Sequence, residues 1–89
     1  MNKLEYMVRK DKYDTYLVFP YDPANHGMMS IYAHVGQHCE ASIEYIRESK
    51  PAIDEALVNE YKGILAAHEP EITMQEIKRI QWARVYNRK

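Results

Sequence analysis

The densest group of reactive side chains in the sequence is Tyr32-Ala33-His34-Val35-Gly36-Gln37-His38-Cys39. The alternation before it and the helical spacing after it place this run between the end of a strand and the start of a helix. There, glycine permits a sharp backbone turn, and the free N–H groups of a first helical turn favour an anion. The same position lowers the pKa of a thiol, so Cys39 with His34 or His38 as base would make a nucleophile pair. His34, His38 and Cys39, with His26 as a fourth ligand, also offer the nitrogen and sulfur donors that zinc takes in a tetrahedron. Neither arrangement carries a recognised spacing. No thiol-enzyme signature surrounds Cys39, and His34 and His38 need not share a helix face across Gly36. The plainer reading is a small buried thiol at a helix start and two surface histidines.

A second group lies near the C-terminus. Lys78, Arg79, Arg84, Arg88 and Lys89 interleave with Trp82 and Tyr86. Cations contact phosphates and aromatic rings stack on bases, so Lys78, Arg79, Trp82, Arg84 and Tyr86 are candidates for contact with single-stranded nucleic acid. Against this stands the formal net charge of −1, which gives no basic footprint to the whole domain. Residues 38–76 carry nine acids against three bases, and residues 77–89 carry five bases and no acid. A packed Trp82 beside charges that balance the acidic middle accounts for the same residues.

The third group is aromatic. Eight of the 89 residues are tyrosine. Tyrosine combines a large apolar body with a polar tip and suits interfaces. Tyr16, Tyr32 and His34 are the candidates for an exposed interaction surface.

The elements that must position these groups can be read from periodicity. Leu4, Tyr6 and Val8 alternate with Glu5, Met7 and Arg9, giving a strand at about 3–10. Aromatic and β-branched residues give a second strand at about 13–20, ended by Pro20. Tyr21-Asp22-Pro23-Ala24-Asn25-His26-Gly27 is a loop by its turn chemistry, and alternation resumes at about 28–35. Cys39, Ile43 and Ile46 at i, i+4 and i+7 predict a helix over about 38–49. Pro51, Asp54 and Glu55 favour the start of another, over about 51–67. Residues 72–86 carry both a Thr73/Glu76 capping box and the alternation of Ile80, Trp82, Arg84 and Tyr86. A strand paired with the N-terminal sheet is preferred there over a helix.

These elements predict a single α+β domain, an antiparallel three- or four-stranded sheet with two helices packed on one face. Met29, Ile31, Leu17 and Phe19 should then meet Ile43, Ile46, Leu57 and Leu65. Tyr16, Tyr32, His34 and Met28 should line the opposite, uncovered face.

Composition bounds the remaining classes. Hydrophobic residues at 46% and charged residues at 28% describe a folded chain rather than a disordered one. One cysteine excludes an internal disulfide. No apolar run has the length of a signal core or a membrane span, and no phosphate loop, nucleophile elbow or cofactor motif occurs. The expectation is a cytoplasmic protein with no cofactor and no membrane partner.

The run Tyr32-Ala33-His34-Val35-Gly36-Gln37-His38-Cys39-Glu40-Ala41-Ser42, with Tyr16-Leu17-Val18-Phe19-Pro20, resembles small uncharacterised bacterial proteins. The resemblance implies a bacterial cytoplasmic setting and carries no activity. The functional expectation is a small non-catalytic interaction module, forming a homodimer or binding a protein partner. Nucleic-acid binding through the C-terminal segment and a thiol or metal site at His34, His38 and Cys39 are the alternatives.

Overall fold

The computed structural model describes residues 3–33 and 37–87. Four strands form an antiparallel meander: β1 (Lys3–Lys10), β2 (Thr15–Phe19), β3 (Met28–Ala33) and β4 (Gln37–Ser42). A five-residue helix α1 (Ile43–Arg47) follows, then the two-residue strand β5 (Lys50–Pro51) and helix α2 (Glu55–His68). Strand β6 (Thr73–Glu76) and helix α3 (Trp82–Asn87) complete the described chain. The fold is α+β, with a larger sheet and one more helix than the periodicities predict.

The sheet order is β4-β3-β2-β1, with β5 and β6 on β1. Carbonyls of alternate residues in a strand point to the same edge. Val8 O accepts from Ala52 N, and Tyr6 O accepts from Ile77 N. The outer edge of β1 is therefore covered twice, by β5 along its second half and by β6, running parallel, along its first.

Helices cover both faces of the sheet. On one face, Tyr6, Val8, Leu17, Phe19 and Tyr32 pack against Leu57, Tyr61 and Leu65 of α2. On the other, Met7, Tyr16, Val18, Met29 and Ile31 pack against Ile43 and Ile46 of α1, and against Ile80 and Val85. This corrects the expected pairing of Leu17 and Phe19 with Met29 and Ile31. In the observed register Leu17 lies opposite Tyr32 and Val18 opposite Ile31. A one-residue change of register exchanges the faces of a whole strand, and the register between β2 and β3 is set by the 20–27 loop.

The uncovered tyrosine face is corrected as a consequence. Tyr16 and Tyr32 lie on opposite faces and are only 2% and 1% exposed. Burial raises the Tyr16 and Tyr61 hydroxyl pKa values above their ordinary 10.0. Tyr32 donates its hydroxyl hydrogen bond to Glu60 of α2.

Residues 38–42 form a strand rather than the start of a helix. Ser42 is the N-cap of α1, its side chain accepting from Tyr45 N at 3.1 Å. Ile43 and Ile46 are helical as expected. Cys39 fits their spacing but belongs to β4. Asp54 caps α2 by accepting from Leu57 N at 3.0 Å, so α2 starts past Pro51, which sits in β5. Residues 72–86 divide into a short strand and a short helix, because only Thr73–Glu76 reaches the free half of β1.

Among the described residues one cation is buried. Arg9, 8% exposed, donates from Nε to Ser49 Oγ and from Nη2 to Ser49 O, both at 2.7 Å. Ser49 Oγ in turn donates to Ile46 O at 2.5 Å. Desolvation lowers the Arg9 pKa from its ordinary value, and the hydrogen bonds tie β1 to the end of α1.

Candidate interaction edge at β4

Strand β4 begins with the alternation that the helical spacing conceals. His38 and Glu40 point to the α2 side of the sheet, and Cys39 and Ala41 point to the α1 side. Its register on β3 is unbroken from Met28↔Ser42 to Ala33↔Gln37. Among the described residues no strand pairs with its other side.

The hydrogen-bond phase of that open side follows from the ladder. Ile43 N donates to Gly27 O at 3.0 Å, one step beyond Met28↔Ser42 in the same register. In an antiparallel ladder the directly bonded pairs alternate with non-bonded ones. The bonded pairs are therefore Ala41 with Met29, Cys39 with Ile31 and Gln37 with Ala33. Working inward from Val8 O at the far edge of the sheet gives the same phase. The backbone N–H and C=O groups of His38 and Glu40 consequently point away from the sheet.

The side chains along this edge are well placed. The His38 ring stacks on Phe19 at 6.0 Å, with 12° between the planes, and on Tyr61 at 6.1 Å. Its Nε2 lies 3.5 Å from Ser30 Oγ. Glu40 accepts from Asn25 Nδ2 at 3.0 Å. Behind His38 a cleft of about 450 Å³ is lined by Tyr32, Tyr61, His68, Asp22 and Glu69, among others. Burial raises the Tyr61 hydroxyl pKa, and the Asp22 and Glu69 charges raise it further.

The other edge is guarded. The strands that lie outermost there, β5 and β6, have two and four residues, and a short edge strand is one of the devices by which proteins avoid unwanted pairing. β4 is longer: it has six residues, with no proline, no lysine and no break in register, and its charged side chain, Glu40, is held by Asn25.

The expected thiol and metal sites are not assembled by β4. His38 and Cys39 are neighbours whose side chains leave opposite faces of the strand, so they cannot share a proton or a metal. Cys39 is exposed rather than buried at a helix start, and His34 lies outside the described residues. Among the described residues no three His, Cys, Asp or Glu side chains converge as metal ligands.

The basic aromatic segment is largely engaged within the fold. The Arg84 guanidinium stacks 3.7 Å from the Tyr21 ring centroid and lies 3.4 Å from Glu5 Oε1. Trp82 is half-buried beneath Arg47, at 5.0 Å, and Arg47 donates to Tyr86 Oη at 3.2 Å. Lys78 and Arg79 are exposed in the turn between β6 and α3. Among the described residues no helix is long and apolar enough to cross a membrane.

The chain matches no protein-family model, no curated protein and no solved structure.

Proposed function

We propose that the protein is a small non-catalytic interaction module that takes an extended protein segment onto β4 by strand addition. The observation that supports this reading is the contrast between the two sides of the sheet. The outer edge of β1 is covered by β5 and β6, whereas no strand among the described residues pairs with the outer side of the six-residue β4. In strand addition the main-chain hydrogen bonds supply affinity and alternate side chains supply selectivity. Here the N–H and C=O groups of His38 and Glu40 supply the first, and the His38 ring and adjoining cleft the second.

Selection from a random peptide library displayed on phage tests the reading. Enriched peptides are expected to shift the NMR amide signals of His38 and Glu40 and to lose binding in Glu40→Pro, which lacks one outward N–H. Peptides that shift residues remote from β4, or bind Glu40→Pro as well as wild type, would remove the β4 edge from the account.

A further inference from the structure

We infer that the segment docking on β4 is β4 of a second copy, antiparallel and in a register that sets Cys39 opposite Cys39 of the other chain. This rests on the reading of β4 as a docking edge and names its occupant.

Three observations select this register. The first is phase. Outward hydrogen-bonding groups belong to even-numbered residues of β4, so an antiparallel copy must bring even residues opposite even ones. That leaves arrangements centred on residue 38, 39, 40 or 41. The second is charge. Centring on Glu40 puts two carboxylates directly opposite, which is destabilising. Centring on His38 sets two imidazoles opposite. Centring on Cys39 sets His38 opposite Glu40 twice, once on each side of the two-fold axis, with an imidazole facing a carboxylate each time. The third is extent. Centring on Ala41 moves the overlap off β4 and into α1, whereas the Cys39-centred register keeps residues 37–41 of both chains paired.

The interface is isologous, and the two sheets become one continuous sheet with both α2 helices on the same face. Within residues 37–41, the two His38–Glu40 pairs contribute four backbone hydrogen bonds. An edge pairing this short belongs to the small class of interfaces, so association in the micromolar to millimolar range is expected.

The register places a chemical reporter at its centre. Cys39 forms a non-hydrogen-bonded pair with its copy, for which the Cα atoms are about 4.5 Å apart. This lies inside the roughly 4.4–6.8 Å that a disulfide spans. Both thiols leave the same face of the joined sheet, and Cys39 is exposed. Diamide would take two electrons and two protons from the pair, forming the Sγ–Sγ bond as its own azo bond is reduced to the hydrazine.

The test combines sedimentation equilibrium of the full chain from micromolar to millimolar concentration with diamide cross-linking. Wild type is expected to shift from monomer to dimer with concentration. Glu40→Lys and Glu40→Pro, each checked for native circular dichroism, are expected to stay monomeric at concentrations where wild type is half dimer. Diamide should link Cys39 at a rate that rises with the dimer fraction. It should link no chains in Cys39→Ser/Ala41→Cys, where the new thiols sit four residues, about 13 Å, out of register. A dimer that survives Glu40→Pro, or cross-linking through Ala41→Cys as fast as through Cys39, would overturn the register. A wild type that is monomeric throughout but binds library peptides on β4 would overturn self-pairing alone. A monomer that binds none would overturn the docking edge as well.

Discussion

Truncation of Phe19 to alanine should destabilise the domain by about 3–5 kcal/mol, the usual cost of removing a fully buried phenylalanine ring. Phe19 is 1% exposed and sits between β2 and α2. Its ring centroid lies 5.1 Å from that of Tyr61 and 6.0 Å from that of His38. The ring thus supports both the α2 layer and the His38 end of β4. The loss is a large share of the stability that a single domain usually has. Tyr13→Ala is the control. That ring is 81% exposed, and the substitution should change stability by no more than about 0.5 kcal/mol. Urea denaturation of the two variants provides the comparison. A Phe19→Ala midpoint within error of wild type would place the ring outside the core and remove the support assigned to β4.

Proline at two adjacent positions of β4 should have opposite consequences. Cys39 N–H points to Ile31 and belongs to the ladder, so Cys39→Pro removes an internal hydrogen bond and sets the ring against β3. Cys39→Pro should cost markedly more stability than Glu40→Pro, because proline at a ladder position of a sheet removes a backbone hydrogen bond and is found essentially only at edges and bulges. Glu40 N–H points outward, and proline is compatible with an edge strand at such a position. Glu40→Pro forgoes the contact with Asn25 and should remain within about 1 kcal/mol of wild type. Thermal unfolding of both proteins decides the matter. Equal destabilisation would mean that the phase assigned to β4 is wrong, and with it the outward groups of His38 and Glu40.

Much of this architecture is legible in the residues. The strands β1 and β3 follow from alternation, β2 from its aromatic and β-branched residues, and α2 from its spacing of Leu57, Tyr61 and Leu65. Two of the features that differ, β4 and the pairing of the faces, do so for distinct physical reasons. His38, Cys39, Glu40 and Ala41 alternate as a strand should, but Cys39 also falls at i and i+4 with Ile43. Two periods fit so short a segment, and the three-dimensional ladder decides between them. The faces failed for another reason. Alternation shows which residues of one strand lie together but leaves the parity between strands free. The 20–27 loop sets that parity, bringing Leu17 to Tyr32 and sending Tyr16 to the other side. With both tyrosines buried, the face of the sheet is closed, and the docking surface proposed above is its edge. The C-terminal aromatics were legible as partners for cations, but the cations are the chain's own, Arg84 on Tyr21 and Arg47 on Trp82.

The central claim is that β4 turns the N–H groups of His38 and Glu40 outward to receive another strand. Residue-resolved amide hydrogen exchange across β4, followed by NMR from dilute to concentrated protein, tests it most directly. Cys39 and Ala41 should be protected at every concentration, because their N–H groups bond to β3. His38 and Glu40 should exchange fast in dilute solution and become protected as the concentration rises. Protection of His38 and Glu40 that is already complete in the dilute monomer would contradict the account, because the edge would then be closed within the chain itself.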